Sequence, residues 1–552
     1  MKSVVVITDA PRVNYMHNFV KLPYYFGTQR YFERPDVKTI RQTVFRSLND
    51  LNEKTKFTEE FRNKKVLIKP NLVGVMFKCG YALDYIPQTT DPRVFEAVIF
   101  YLKELGCDIT IIESAGKGIA TSQSFINIGL DRVAKYYGAG LIAMEEQPLD
   151  HYYVPKAKVQ KDVYLPRVLS QVIRGDAKYV SVPKMKTNLY TGVTLGFKNA
   201  MGTLSGNMRY RNHSWQINDK LVDLLYLFKP DLTVVDGIIG GEGLTPAPVD
   251  PVKVGKIITG TNSVEVDRVV TRMMGIDPEK LRLTAAAEER GFGDHDTEVI
   301  GEATVKPFRP ADCSFISTRF RKNWPNVHYY VGHTNSRVPT IKDIHAVTPE
   351  MVIEIESGCR GGCLSTMCFY MEMVNKAKHP PNREKVKFGC IIGDGCLVHG
   401  KRYWFDADGK PYDVEALKTE AKNLNHMVGC GACSKEAYPA CDLTCTGCHN
   451  VGEFIPILMK ASGVPLPMLS AANDQLLDEL VGMFRRWLAV RKVLKAGDIV
   501  EIPFDAKDDS IHPIPALSEE EMQKDWIFVP MPKLTKAEIK ENLRTNKIVW
   551  IG

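Results

Sequence analysis

The first 305 residues repeat one pattern: a short β-branched run, a polar or glycine-rich break, and an amphipathic helix. The clearest runs are KKVLIKPN at 64, CDITIIESAG at 107, AKYVSVPKMKTN at 177, DLTVVDGI at 231 and KIITGTNSVEVD at 256. Strands that are apolar on both faces are covered on both sides, and helices between them, such as DPRVFEAVIFYLKELG at 91, indicate parallel crossovers. The pattern therefore predicts an α/β domain over 1–305, with an open, mainly parallel sheet and flanking helices.

The chain is longer than one hydrophobic core supports. It has 552 residues, whereas single cores stop growing near about 250–300 residues. After the first domain we expect a linker over 306–348 and a second, smaller α/β domain over 349–470 that is rich in cysteine. A C-terminal helix and an extended arm follow over 471–552, and we expect the arm to wrap a neighbouring domain or subunit in a homo-oligomer or larger complex.

The distribution of charge and apolar residues limits the partners. The net charge of +7 is spread over 72 basic and 65 acidic residues without a long run of like charge, so nucleic acid is not the expected partner. No apolar run approaches the roughly 20 residues that a membrane-spanning helix needs. We expect no membrane span and a cytoplasmic location.

Charged and amide side chains follow the predicted strands, where open α/β sheets bind their ligands. These residues are Lys69, Glu113, Lys184, Lys186, Lys198, Asn199 and Asp236. Several lysines at one edge favour a small anionic substrate, although lysines also flank strands simply as solubilising residues. We expect Lys69 and Lys186 to neutralise charge in catalysis and Asp236 or His213 to transfer a proton. The expected ligand-binding residues are Lys184, Lys198, Asn199 and Glu113.

The order of these motifs resembles a known family. KPNL, TDPRVFEAV, VPKMKTN, TLGFKNAMG with RNHSW, LTVVDG and SVEVDRV are similar to the motif series of the prokaryotic family catalogued as domain of unknown function 362. The resemblance covers about residues 40–305. It implies an α/β fold and frequent association with iron–sulfur modules, with no settled reaction. The family commonly has a histidine where this chain has Asn188, and His213 matches a later histidine position.

Cysteine is concentrated in the second domain. The chain has 13 cysteines, and ten of them fall between 359 and 448. In a reducing compartment such clustering favours metal binding over disulfides. We predict ten metal ligands: Cys359, Cys363, Cys368, Cys390, Cys396, Cys430, Cys433, Cys441, Cys445 and Cys448. The first two and the fourth to the seventh lie at or just past three parallel strands, Cys368 lies in a predicted helix, and the last three lie on a following loop. One of the three predicted strands is MVIEIES at 351, which precedes Cys359.

Two kinds of metal fit these cysteines. C-x2-C at 430 and C-x2-C at 445 are separated by eleven residues, which is close to a zinc knuckle. Zinc would leave six cysteines unexplained, whereas iron–sulfur clusters take four each. Ten cysteines suit one or two [4Fe-4S] clusters, or one larger cluster, and zinc stays as the alternative.

These observations favour an anaerobic iron–sulfur redox enzyme or lyase that acts on a small anionic substrate at the lysine-lined sheet edge. An electron-donor protein such as a ferredoxin is the expected partner. Two alternatives stay open: a non-catalytic electron-transfer or cluster-delivery protein, and a zinc-stabilised binding protein.

Overall fold

The structure is a computed structural model of the chain. It describes residues 2–10, 25, 27–74, 80–82, 87–116, 119–211, 213, 216–246, 249–294, 296–333, 340–360, 362–447, 451–467, 476–502, 514 and 516–545.

The strands run in chain order as follows: β1 Val4–Asp9, β2 Lys65–Pro70, β3 Asp108–Glu113, β4 Gly140–Ala143, β5 Leu149–Tyr153, β6 Asp162–Pro166, β7 Lys178–Val182, β8 Lys184–Asn188, β9 Gly192–Thr194, β10 Leu232–Glu242, β11 Asp250–Gly260, β12 Glu298–Ile300, β13 Val327–Val331, β14 Phe388–Ile392, β15 Cys396–Val398, β16 Lys401–Phe405, β17 Pro411–Tyr412, β18 Met427–Cys430, β19 Leu443–Cys445 and β20 Ile527–Val529.

The α-helices are α1 Gln29–Phe32, α2 Pro35–Thr55, α3 Phe57–Phe61, α4 Pro92–Glu104, α5 Thr121–Asn127, α6 Leu130–Tyr137, α7 Ser170–Ile173, α8 Gly206–Tyr210, α9 Ile217–Asp223, α10 Ser263–Met273, α11 Arg282–Glu289, α12 Thr318–Asn323, α13 Pro349–Ser357, α14 Cys363–Asn375, α15 Val414–Ala421, α16 Val451–Ser462, α17 Leu476–Lys495, α18 Glu519–Met522 and α19 Lys536–Thr545.

The first domain is built on a twisted sheet with the order β12-β1-β11-β10-β7-β2-β3-β4. The pairs β10–β7, β7–β2, β2–β3 and β3–β4 are parallel, and β11 pairs antiparallel with both β1 and β10. Residues of α2, α4 and α6 pack on one face, whereas residues of α10 and of α7, α9 and α11 belong to the cores on the other. The prediction of an open, mainly parallel α/β sheet with flanking helices is confirmed.

A smaller sheet organises the cysteine region, with the order β15-β16-β13-β14-β18-β19. Its strands β13, β14, β18 and β19 are parallel neighbours, with β19 at the edge. Strand β13 lies within the stretch 306–348, which the sequence predicts as a linker. Part of that stretch is therefore an internal strand of the second sheet.

One predicted strand is wrong. MVIEIES lies in the helix α13, because Thr348 precedes a proline at the first helical position and its hydroxyl accepts a hydrogen bond from Met351 N at 3.4 Å. Cys363 is therefore the first residue of the next helix, α14, and Cys359 lies in the turn between the two helices.

The C-terminal segments pack on the first domain of the same chain. Helix α17 contacts α5, with Gly482 against Ala120 and Gln123, and β20 pairs antiparallel with β5. Between them, the carboxylate of Glu501 accepts hydrogen bonds from Ser205 Oγ at 2.7 Å and Asn207 N at 3.1 Å. Within the described residues, no helix combines the length and the apolar composition that crossing a bilayer requires.

The Glu501 contact gives a test of how the arm is attached. Glu501→Ala removes the acceptor for two donors, so we expect a loss of about 1.5–3 kcal/mol of stability and faster proteolysis within the arm. Thermal unfolding and limited proteolysis measure the two effects. Glu520→Ala, at an exposed position of α18, is the control. Equal protease resistance in both variants would contradict the anchoring role of Glu501.

Candidate functional site

A buried ion pair lies at the carboxyl ends of β2 and β3. Lys69 Nζ is 2.5 Å from Glu113 Oε1, and the two side chains are 1% and 2% exposed. Glu113 also accepts hydrogen bonds from Leu72 N at 2.9 Å and Ser114 N at 2.8 Å. Burial raises the pKa of Glu113 and lowers the pKa of Lys69, and each partner opposes the shift of the other. The pair is therefore a fixed charged unit of the sheet edge.

The amide of Asn199 joins this pair to the neighbouring strands. Its Oδ1 accepts from Lys69 Nζ at 3.1 Å and from Asn71 Nδ2 at 3.0 Å. Its Nδ2 donates to Ser181 Oγ at 3.1 Å on β7 and to Pro70 O at 3.2 Å on β2. The amide thus fixes the 198–203 turn against two parallel strands.

The glycines and backbone of the GFKNAMG segment are held just as closely. A Cβ at Gly202 would lie 2.6 Å from Glu113 Oε1 and 2.7 Å from Lys69 Nζ, so only glycine allows this approach. The buried carboxylate of Asp267, on α10, accepts hydrogen bonds from Gly196 N at 2.6 Å and Phe197 N at 3.3 Å. These contacts determine where the next residue, Lys198, presents its side chain.

Lys198 and Arg209 bring positive charge that no neighbouring carboxylate neutralises directly. Among the described residues, Lys198 Nζ has no hydrogen-bond or ion-pair partner, although the residue is only 8% exposed. The pKa of Lys198 falls to about 8 because of burial and the nearby charges of Lys69 and Arg209. Arg209 donates to the carbonyls of Leu204 at 3.0 Å and Ser114 at 2.9 Å, and to Ala115 O and Ser114 Oγ. An anion at this point would offset both cations.

These residues line one wall of a cavity of about 370 Å³ between the two domains, here called the interdomain cavity. The polar wall comes from the first domain: Lys69, Asn71, Glu113, Ser114, Lys198, Asn199, Arg209 and His213. The second domain contributes an apolar wall: Phe369, Met373, Ile455 and Leu466. The cavity therefore suits a molecule with a charged end and an apolar body.

Aromatic rings connect the two walls. The ring of His213 meets the ring of Tyr190 edge to face, with centroids 4.5 Å apart, and lies 6.1 Å from the ring of Tyr210. Burial raises the pKa of both tyrosines, and Tyr190 hydrogen-bonds to Thr366 on α14. The first domain thus contacts α14 directly at the cavity.

Three predicted residues lie behind this wall and do not line the cavity. Lys184 Nζ pairs with Asp236 Oδ2 at 2.8 Å, and both side chains are fully buried. Lys186 Nζ donates to Gln88 O at 2.6 Å, and burial together with Lys198 and Lys184 sets the pKa of Lys186 well below its usual value. Lys184, Lys186 and Asp236 are thus committed to buried contacts, whereas Lys69, Glu113, Lys198, Asn199 and His213 face the cavity.

Five cysteines converge in the second domain and are called the cysteine group: Cys363, Cys390, Cys430, Cys433 and Cys445. Cys430 hydrogen-bonds to Cys390, and its pKa is raised by burial, by that bond and by nearby Cys363 and Cys445. Gly431, at φ +82°, passes between two of the thiols: a Cβ there would lie 3.4 Å from Cys363 Sγ and 3.5 Å from Cys433 Sγ. The carboxyl ends of β18 and β19 and the start of α14 thus meet at one point.

The other predicted ligands lie elsewhere. Cys441 packs on the opposite face of the second sheet with Ile391 and Met427, and Cys396 Sγ lies 3.4 Å from His333 O. Cys368 Sγ donates to Cys313 O at 3.3 Å. Cys359 is buried in the turn before α14. Cys448 lies outside the described residues. Within the described residues, no three Cys, His, Asp or Glu side chains form a ready-made site for a single metal ion.

Helix α14 connects the cysteine group with the cavity. One face carries Cys363 and Met367, and Met367 Sδ is 3.9 Å from Cys430 Sγ. Another face carries Thr366, Phe369 and Met373 at i, i+3 and i+7, toward Tyr190 and the cavity. Cys363 and Phe369 are six residues apart, which is about 9 Å along a helix axis.

The first-domain side of this site lies in a region that is similar to a known family. Residues 66–272 match the family model of a domain of unknown function, DUF362. Every predicted residue of the sheet edge, from Lys69 to Asp236, lies within this DUF362 match. The cysteine region lies outside it.

One curated relative adds a distant likeness. A thylakoid-associated protein of Synechocystis sp. is 24% identical over 247 residues, which cover 43% of this chain and 70% of the relative. No solved structure matches the chain. The name of the relative states a location and no reaction. The chemistry of the sheet edge must therefore be inferred from the residues of the edge.

Sequence reasoning missed Arg209 and the apolar wall. Arg209 belongs to MRYRNHSW, where a basic and aromatic cluster next to a family histidine was the available signal. Phe369 and Met373 on α14, Ile455 on α16 and Leu466 after α16 lie in what sequence alone assigns to another domain, so no local pattern connects them with Lys198.

The Lys69–Glu113 pair gives a prediction on stability. Glu113→Gln leaves Lys69 without a counterion in a buried place, so we expect a loss of about 3–5 kcal/mol. Urea unfolding of the variant measures the loss, and Glu104→Gln, exposed at the end of α4, should be neutral. If Glu113→Gln unfolds at the same urea concentration as the wild type, Lys69 and Glu113 are not a charged pair in the folded protein.

Proposed function

We propose that this chain is an iron–sulfur redox protein that acts on a small anionic molecule bound in the interdomain cavity. The observation that carries the proposal is the position of α14, which begins at Cys363 in the cysteine group and lines the cavity with Phe369 and Met373. A redox centre and a substrate that exchange electrons must lie close together. Helix α14 contributes to both the cysteine group and the cavity, which supports a short distance between them.

The charges of the cavity support an anionic ligand. Glu113 neutralises Lys69, but Lys198 and Arg209 contact no carboxylate among the described residues. Buried cations without a counterion are costly, and a bound carboxylate or phosphate relieves that cost. His213, which lines the same wall, is the proposed proton donor or acceptor. Asp236 and Lys186 are proposed only to support the wall from behind.

The donor set of the cysteine group fits an iron–sulfur cluster. Cys363, Cys390, Cys430, Cys433 and Cys445 offer more thiols than one cluster needs, and Cys448 follows three residues after Cys445. Burial keeps the Cys430 thiol protonated in the absence of metal, and metal ions supply the positive charge that stabilises thiolates. A [4Fe-4S] cluster held here would supply one-electron transfer. The same thiols also suit zinc, which the experiment below distinguishes.

Electrons would enter from the side of Cys433. Cys433 is exposed, whereas the other four members of the group are buried. An electron-donor protein such as a ferredoxin can therefore approach the group without crossing the cavity. The exposed thiol also keeps a non-catalytic electron carrier as a second candidate, in which the cavity would bind no substrate. A cytoplasmic location, as expected from the sequence, would keep these thiols reduced.

Metal analysis tests the cofactor. Protein purified without oxygen should contain several irons per chain and matching sulfide, with a cluster signal in electron paramagnetic resonance. Cys430→Ser should lower both contents because serine is a poorer ligand than thiolate. Cys441→Ser, on the other face of the same sheet, and Cys107→Ser in the first domain are the controls. Stoichiometric zinc without sulfide would end the iron–sulfur proposal.

A thermal-shift screen tests the anion site. Carboxylates, phosphates and acyl-CoA esters should include a ligand that stabilises the fold, by about 2.7 kcal/mol at a hundredfold excess over its Kd. Because the free Lys198 has a pKa of about 8, the ammonium is present below that pH, and stabilisation should weaken as the pH rises above it.

The matched variants for that screen are Lys198→Gln and Lys65→Gln. Lys65 begins the same strand that ends near Lys69 but is exposed at the opposite end. The first variant should lose most of the stabilisation and the second should keep it. A screen without any ligand would favour the electron carrier.

A further inference from the structure

Lys198 differs from the other lysines of the sheet edge. Lys69 and Lys184 are held in buried ion pairs, and Lys186 is bound to a backbone carbonyl away from the cavity. Within the described part of the chain, Lys198 has no hydrogen-bond or ion-pair partner, and it lines the cavity. A lysine kept only for electrostatic support would normally be paired when it is this deeply buried.

We propose that Lys198 is a catalytic nucleophile that forms an imine with the carbonyl carbon of an oxo acid bound in the interdomain cavity. This proposal rests on the anion site of the proposed function and names its substrate class. The carboxylate of the oxo acid pairs with Arg209, whose guanidinium has no carboxylate partner among the described residues. Its apolar body lies against Phe369, Met373, Ile455 and Leu466.

The surroundings of Lys198 suit this chemistry. A lysine becomes a nucleophile when an apolar site or a neighbouring cation favours its neutral amine. Burial and the charges of Lys69 and Arg209 act in that direction, and a pKa of about 8 leaves roughly a tenth of the amine neutral at pH 7. The substrate binds as the carboxylate anion, because the guanidinium of Arg209 is positively charged.

The bonds balance without a further reagent. The amine lone pair of Lys198 attacks the carbonyl carbon, the C=O π bond breaks, and the oxygen takes a proton to give a carbinolamine. The nitrogen loses a proton, and the hydroxyl leaves as water when a second proton reaches it. As the water leaves, the nitrogen lone pair forms the C=N bond, so the first product is an iminium. Loss of its N–H proton to solvent or to His213 gives the neutral imine. Hydrolysis reverses the sequence.

An oxo acid with an apolar group fits better than a phosphate. The cavity has a cationic corner, at Lys198 and Arg209, and an apolar surface that includes Phe369, Met373, Ile455 and Leu466. A free phosphate would contact the corner and leave that surface unfilled. A carbonyl next to a carboxylate would place its carbon beside Lys198 when the carboxylate lies on Arg209.

Reductive trapping tests the imine. The anaerobically purified full chain is incubated with phenylpyruvate and sodium cyanoborohydride, then digested and analysed by mass spectrometry. We expect one reduced adduct on the peptide that carries Lys198, formed before exposed lysines react. Phenyllactate, which has the same acid and ring but no carbonyl, should give no adduct.

Lys198→Arg is the matched variant, since it keeps the positive charge and lacks the nucleophilic amine. It should still be stabilised by phenyllactate in a thermal-shift assay, but it should lose the adduct. An adduct spread over surface lysines, or one that persists in this variant, would overturn the imine.

The two proposals fail in different ways. Stabilisation by phenyllactate without an adduct at Lys198 would refute the imine and leave the anion site intact. Iron and sulfide content, measured on the same preparation, tests the redox proposal independently of either result.

Discussion

The side-chain amide of Asn199 is the contact on which the first-domain wall depends. It accepts hydrogen bonds from Lys69 and from Asn71, and it donates hydrogen bonds to β2 and β7. Four hydrogen bonds from one amide fix the orientation of that amide and hold the 198–203 turn over the strand ends. Lys198 precedes Asn199, so its direction into the cavity follows from this network and from Asp267 holding the preceding backbone.

The same wall explains why so many cations can lie together. Glu113 neutralises Lys69 and Asp236 neutralises Lys184. These two lysines therefore add little net positive charge to the wall. The remaining positive charge is concentrated at Lys198 and Arg209. The ion pairs behind the wall keep the charged framework stable, and Lys198 and Arg209 face the cavity without a carboxylate partner among the described residues.

The sequence predicted the sheet and the edge because strand ends in a parallel sheet meet on one side, a rule that needs no side-chain detail. It could not predict that Lys184 and Lys186 turn away from the cavity, since β8 leaves the β7 line to pair with β10 and β9. MVIEIES suits a strand or a buried helix equally by composition, and the cap at Thr348 decided between them. The convergence of Cys363 with Cys430 depended on that helix.

Helix α14 gives the two halves of the molecule different evolutionary freedom. The charged edge is tied to the stability of the first domain, because the same Lys69, Glu113 and Asn199 hold its strands together. Phe369 and Met373 do not hold the strands of the first domain together, since they belong to the second domain. Substitutions in α14 and α16 can therefore change the apolar lining of the cavity while the contacts of the charged edge stay the same.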